Sequence, residues 1–303
     1  MNIPIKLITF ATDIDGSYQI LQESATNNDF ELETLGMGVK WEGFTMRYRY
    51  MKEYLDAIPE DKESQNQLIV FIDGYDTFVL NNKETLLNRY YSFNRPIVYG
   101  AQWNRIVGDK WSRQIIKWFS SNFDIVLNAG SYMGPVWALK NKFHMLASHF
   151  DLRESDQNDQ KLLNKSRRLS PDFFKENVTI DKRGIIFHNA SYYSSAFYTP
   201  YCMKSDLFND IAIDKDNGKL IIRDVGIEPV FLSGPGNVDL VPYIKYKGYD
   251  IKNIKHRDHV IYGWEFIREF ALELTIYYGV IGIVLSLILF VIWKCMCTFI
   301  PLK

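Results

Sequence analysis

Cysteine is scarce in this chain. Three in 303 residues, Cys202, Cys295 and Cys297, cannot build a disulfide framework. Two of them stand near the C-terminus, so the globular part carries one thiol, and the expectation is a reducing compartment. Charge bias is missing as well: 35 Lys and Arg against 36 Asp and Glu give a net charge of −1. Proteins that neutralise phosphate backbones carry a basic excess, which excludes nucleic acid as a partner. There is no Cys/His metal spacing, no GxSxG elbow, no Walker lysine loop and no GxGxxG. Repeats and low-complexity blocks are lacking too. Apolar residues are plentiful. With 47% hydrophobic and 15% aromatic residues, the chain can bury a sizeable core, and disorder is excluded as its dominant state.

Long hydrophobic runs are also lacking, with one exception. Residues 276–293 (IYYGVIGIVLSLILFVIW) contain no charged side chain, and 18 residues approach the length needed to span a hydrocarbon core of about 30 Å. Tyr277, Tyr278 and Trp293 suit the aromatic belts, with Lys294 just outside. The expected layout is a domain at 1–250, a juxtamembrane linker at 251–275, a transmembrane helix at 276–293 and a tail at 294–303. The N-terminus shows no basic n-region or long apolar stretch of a signal peptide. A single-pass C-terminal anchor with a cytosol-facing domain is therefore expected. Sequons at Asn177 and Asn189 suit the lumenal alternative, and flanking charges do not decide between the two.

Along the domain, short β-branched and aromatic runs at 6–11, 30–35, 68–72, 97–100 and 125–127 read as strands. Stretches at 18–27, 47–57, 83–91, 111–120, 141–150 and 156–166 read as helices. Such alternation predicts an α/β fold with a mixed or parallel sheet covered on both faces. Asn217-Gly218 between two apolar runs predicts a hairpin. A strand is expected at 229–232, and residues 243–269 read as a polar, aromatic linker.

Three segments carry candidate chemistry. In FIDGYDTFVL a hydrophobic strand delivers Asp73 to its C-terminal end, and Asp76 follows across a glycine turn. Ligands bind at that end of open α/β sheets, and two hard carboxylates there suit a divalent cation that completes its shell with phosphates and water. The same dipeptide Asp-Gly also marks ordinary strand exits. In LNAGSYMG a strand opens into small residues, where Asn128 and the backbone near Gly130 can meet a polar ligand closely, or simply turn. In SDQNDQ, Asp156 and Asp159 lie three apart at a helix start. Read alone they are better explained as helix N-terminal carboxylates than as an acid/base pair. Of the five histidines, His144 and His149 fit the surface or core of one helix, and His256 and His259 fall in the linker.

Taken in order, these motifs resemble the glycosyltransferase domain of the multifunctional procollagen lysyl hydroxylases, and more distantly the procollagen galactosyltransferases. LITFATDIDGS is similar to the opening strand and acidic turn, ETLGMGVKWEGF to LGxGxxWxGG, and FIDGYDTFVL to FxDxYDVIL. NAGSYMG resembles NSGGFIG, NDQKLL the DDDQLFYT region, and IAIDKDNGKLIIRD…EPVFLSGPGN the closing hairpin and HGNGP loop. The likeness runs from about residue 7 to 249.

The resemblance implies a GT-A-like, Rossmann-like mixed sheet with helices on both faces. It also implies hexose transfer, of glucose or galactose, from a UDP-sugar to a hydroxyl acceptor. That acceptor is a protein or glycan, hydroxylysine or galactosylhydroxylysine of a collagen-like protein among them. Metal ligands are then Asp73, Asp76 and Ser233, for Mn2+ or alternatively Mg2+. Donor binding falls to Thr9, Ala11, Thr12, Trp41, Tyr75, Gly234 and Gly236, and substrate binding to Trp103, Asn128, Gly130 and Gln160. Asp156 and Asp159 are the catalytic candidates on the acceptor side. There are departures. Ser233 stands where the family has a metal-binding His, Pro235 replaces an Asn of the same loop, and the glycine-rich segment after Trp41 is shortened, its lysine position falling on Arg47. These leave a competing expectation, a catalytically degenerate membrane-tethered binding or scaffold protein of the same fold.

Overall fold

The computed structural model describes residues 3–102, 126–153, 158–190, 210–234, 240–252, 279 and 282–293. Its centre is a six-stranded mixed sheet. Three strands, β1 (Ile5–Phe10), β2 (Leu32–Leu35) and β3 (Leu68–Asp73), run parallel with β1 in the middle. The sheet continues through β6 (Val126–Pro135), antiparallel to β3, then β5 (Ile97–Gln102), antiparallel to β6, and ends at β7 (Val178–Asp181).

Period-two alternation splits the strands between two cores. Ile8, Phe10, Ile69 and Phe71 face one side. There they pack under the helices α2 (Met46–Asp56), α5 (Val136–His149) and α6 (Asp159–Leu169). Leu7, Val70 and Ile72 face the other side, with Leu21 and Ala25 of α1 (Tyr18–Asn27) and Leu86 of α4 (Lys83–Tyr90). Both faces are covered, which is why the central strands read as unbroken apolar runs.

A smaller sheet, β4 (Thr77–Val79), β11 (Phe231–Ser233) and β8 (Phe187–Asn189), lies beyond the end of β3. The hairpin β9 (Ile211–Asp214) and β10 (Lys219–Ile222) expected at Asn217-Gly218 forms, with Asp214 paired to Lys219 across residues 215–218. Two short helices, α3 (Lys62–Asn66) and α7 (Pro171–Asn177), complete the connections.

The structure departs from the sequence expectations in two places. NAGSYMG lies inside the ten-residue strand β6, because pairing to β3 on one edge and β5 on the other supplies the ladder that its small residues would not favour alone. The expected linker begins too early: α8 (Val241–Tyr246) buries Tyr243 and Ile244 in a third core with Phe78 and Leu232. No helix among the described residues is long and apolar enough to cross a membrane, and the described residues include only part of the expected span at 276–293. Within the expected span, residues 282–293 are helical. The expected helix at 111–120 lies outside the described residues.

Candidate active site

The site forms where β3 ends. Asp73 is the last residue of β3, and Asp76 sits just before β4. The peptide N–H of Gly234 donates to the Asp76 carbonyl at 2.8 Å, so the start of the Ser233–Gly236 loop is tied to the carboxylate turn. Ser233 pairs in register with Thr77, and their hydroxyls are 2.8 Å apart. The Ser233 hydroxyl is thus engaged by Thr77.

Arg47, at the start of α2, joins two of the three motif segments. Its Nη1 donates to Asp73 Oδ2 at 2.6 Å, and its Nη2 donates to Asp159. The guanidinium is largely shielded, and Asp159 is buried. Burial alone would lower the arginine's pKa, but the Asp159 and Asp73 carboxylates outweigh it and raise the value. Burial pushes the Asp159 carboxyl up, opposed chiefly by the Arg47 charge. Phe44 lies under the same guanidinium, 5.6 Å from ring centroid to Cζ, and meets Trp41 edge-on at 5.3 Å.

Asp159 is not a cap. Asn158 caps α6, accepting from the Lys161 N–H at 3.1 Å, which leaves Asp159 free to turn inward. Gln160 clamps the third segment: its Oε1 accepts from the Ala129 N–H at 2.9 Å, and its Nε2 donates to the Leu127 carbonyl. The amide expected to meet substrate is therefore committed to positioning β6. At Gly130 an added Cβ would lie 3.2 Å from both Asp73 Oδ2 and Asn128 Oδ1. That close approach explains the glycine and places the floor of β6 beside the carboxylate.

On the opposite wall, Tyr75 leans onto the loop after β1. Its hydroxyl accepts from the Thr12 N–H at 2.8 Å and donates to Asp13 at 3.1 Å. The left-handed Gly16 permits this contact, since a Cβ there would strike the Tyr75 carbonyl at 2.6 Å. Thr9 and Ala11 are fully buried beneath that wall, with the Thr9 hydroxyl donating to the Ile72 carbonyl at 2.8 Å. Trp41 is exposed. Trp103, Asp156 and Gly236 lie outside the described residues.

Sequence reasoning missed Lys142, which belongs to the layer under Asp159. It is completely buried, and its Nζ has no hydrogen-bond partner. The amine sits 3.8 Å from the Tyr132 ring centroid, 4.0 Å from Phe143 and 5.1 Å from Tyr48 and Tyr99. Burial pushes its pKa well below the ordinary 10.5, against a smaller opposing pull from Asp159. Its periodicity was a usable signal: Leu139, Lys142, Phe143 and Leu146 fall at i, i+3, i+4 and i+7 on the buried stripe of α5.

For a divalent cation, the described residues offer two carboxylates, Asp73 and Asp76. One oxygen of Asp73 is bonded to Arg47, and no group of three or more His, Cys, Asp or Glu that could hold a metal occurs among the described residues. That set fits a cation that keeps waters and takes phosphate oxygens. Among the described residues it supplies no third carboxylate, His or Cys.

A mixed α/β sheet with paired carboxylates at the end of a parallel strand defines a class of proteins that bind ligands at that edge. Residues 2–218 match the family model described as the PLOD GT domain. The chain belongs to that family and is a glycosyltransferase. It is 23% identical over 255 residues to procollagen-lysine,2-oxoglutarate 5-dioxygenase of Drosophila melanogaster, covering 81% of this chain and 32% of that protein. A multifunctional procollagen lysine hydroxylase and glycosyltransferase of Caenorhabditis elegans is 27% identical over 103 residues, 32% of this chain and 14% of that protein. The chain thus spans a third or less of the length of these relatives. Among solved structures, the galactosyltransferase LgtC in complex with donor and acceptor sugar analogs covers 88% of this chain and 95% of its own, at 12% identity and a TM-score of 0.39. The WbbM bifunctional glycosyltransferase covers 82% of this chain and 50% of its own, at 13% identity and a TM-score of 0.41. Likeness at this level assigns no residue role.

Proposed function

We propose that this chain transfers a hexose, glucose or galactose, from a UDP-sugar to a hydroxyl acceptor. The observation that carries this reading is the Asp73–Arg47–Asp159 network, which gathers carboxylates from β3 and α6 around one guanidinium beside Gly130. Carboxylates oriented by hydrogen bonds from a shared arginine make strong acceptors for sugar hydroxyls. The short approach at Gly130 lets a sugar ring lie against β6. Tyr75, braced by Thr12 and Asp13, and the exposed Trp41 provide aromatic surface for the base.

Asp73 and Asp76 would hold Mn2+ or Mg2+, and such a cation, when bound, offsets negative charge developing on the leaving diphosphate. The protein's own part is positioning. Arg47 fixes the orientation of Asp73 and Asp159. Gln160 holds β6 at the distance that Gly130 needs, and the Gly234–Asp76 hydrogen bond keeps the Ser233 loop beside the carboxylate turn. The acceptor is a hydroxyl of a protein or glycan; the relatives' names, with their procollagen lysine, favour a collagen-like chain, and the sequence resemblance implies its hydroxylysine or galactosylhydroxylysine.

The engaged Ser233 hydroxyl favours a second reading, a member that binds nucleotide but does not turn over. Titration of UDP with and without Mn2+, followed by a UDP-glucose and UDP-galactose hydrolysis assay, separates the two. Metal-dependent binding lost in Asp73→Asn, together with released UDP, supports transfer. Binding without hydrolysis supports the second reading, and absence of UDP binding under every condition refutes both.

A further inference from the structure

One described helix lacks what the other described helices have, a polar side. The ten large apolar side chains from Ile283 to Trp293 are each 48–65% exposed. Successive residues of an α-helix are turned by about 100°, so this near-continuous run covers the whole circumference. Only Gly282 and Ser286 interrupt it. A helix that docks on a protein surface needs one apolar stripe and keeps its other side polar. The amphipathic α6 of this chain does so, burying Leu162, Leu163 and Ser166 while Lys161, Arg167 and Arg168 face water. The 282–293 helix offers no side to water at all.

The neighbouring sequence extends the same character. No Asp, Glu, Lys or Arg occurs between residues 276 and 293. At 1.5 Å per residue that stretch measures about 27 Å as a helix, close to the ~30 Å hydrocarbon thickness of a bilayer. Tyr277, Tyr278 and Trp293 stand at its ends, where amphipathic rings sit at the headgroup level, and Lys294 follows at once. Among the described residues, the three cores close within residues 3–251 and contain no residue of the 282–293 helix.

We propose that residues 276–293 insert into the hydrocarbon of a lipid bilayer and tether the glycosyltransferase domain to a membrane. Lipid is the occupant that matches a helix apolar on every side, because acyl chains enclose it completely and ask for no complementary shape. The alternative occupant, further copies of the same helix packed into a soluble bundle, would leave outward-facing Leu, Ile and Val side chains in water. The proposal stands whether the donor is a UDP-hexose or another nucleotide-sugar.

The test uses the full chain, synthesised in the presence of phosphatidylcholine vesicles. The expected result is flotation with the vesicles, resistance to alkaline carbonate and release by detergent. Leu285→Lys combined with Leu289→Lys places two charges one turn apart in the middle of the apolar run, and this variant is expected to lose at least nine-tenths of its flotation. Its thermal unfolding midpoint in detergent should match the wild type, which shows that the domain still folds. Wild-type protein that stays in the soluble fraction, or that carbonate strips from the vesicles, overturns the proposal. A lipid-free oligomer that dissociates in the double-lysine variant overturns it too, by identifying the helix's own copies as its cover. UDP binding measured on the same detergent-solubilised samples reports on the site separately, so failure of the tether and failure of the proposed function are distinguishable.

Discussion

Replacing Lys142 with Met should make the protein more stable. The wild-type amine is fully buried, makes no hydrogen bond and is boxed by four aromatic rings. A buried donor left unsatisfied costs about 1–3 kcal/mol, and methionine fills nearly the same volume with a flexible apolar chain, so repacking should cost less than about 1.5 kcal/mol. The net expectation is stabilisation of about 1–2 kcal/mol. For a domain of this size that corresponds to a rise in Tm of roughly 2–8 °C.

The pH dependence has a definite sign. Burial depresses the folded-state pKa below the ordinary 10.5, so between the two values the unfolded chain carries a proton that the folded chain lacks. Unfolding then takes up a proton, and wild-type stability rises with pH toward 10.5. The advantage of Lys142→Met is accordingly largest at the acidic end of this window and shrinks as pH rises. Differential scanning fluorimetry of both proteins from pH 6.5 to 9.5, with detergent present throughout, measures it. Lys142→Ala is the control, expected to lose about 2–5 kcal/mol by opening a cavity. A methionine variant less stable than wild type, or a difference that does not change with pH, would refute the account of Lys142 as an uncompensated buried amine.

Other outcomes follow from the same structure. Arg47→Met strands the buried Asp159 carboxylate and should destabilise by about 3–5 kcal/mol in denaturant titrations, while abolishing UDP-sugar binding in calorimetry. A cost below about 1 kcal/mol would show that the Arg47–Asp159 contact is not maintained in solution. Gly130→Ala should leave the melting temperature close to wild type and weaken UDP-sugar binding roughly tenfold, about 1.4 kcal/mol, because its Cβ crowds Asp73 and Asn128. Gln160→Leu removes both ties to β6 and should cost about 1–3 kcal/mol of stability. Ser233→His should lower the Kd for Mn2+, measured by electron paramagnetic resonance. An unchanged Kd would mean that this position does not face the cation.

The site was partly written in the chain order. A five-residue apolar run ending in Asp-Gly-Tyr-Asp identifies a strand whose end carries two carboxylates, and β3 ends on Asp73. A helix start near Asp159 was legible as well, but the roles of the residues there were not. Asn158 and Asp159 are both short polar residues at a helix start, and only the proximity of Arg47, over a hundred residues earlier, decides that Asn158 caps while Asp159 turns inward. Gln160 likewise reads as a ligand-binding amide until β6 is found within its reach. The glycine-containing NAGSYMG reads as a turn when seen alone and is a strand because two neighbours hold it.

Local pattern therefore determined the elements that depend on local pattern: the parallel β1 and β3, α1, the Asn-Gly hairpin, and the uncharged stretch at 276–293. Tertiary structure decided which side chains meet. Arg47 between Asp73 and Asp159, Ser233 turned to Thr77, and Lys142 against Tyr48 and Tyr99 are contacts between residues far apart in sequence. Period and propensity are short-range properties of the backbone, whereas burial and ion pairing belong to neighbours that the chain brings together only by folding.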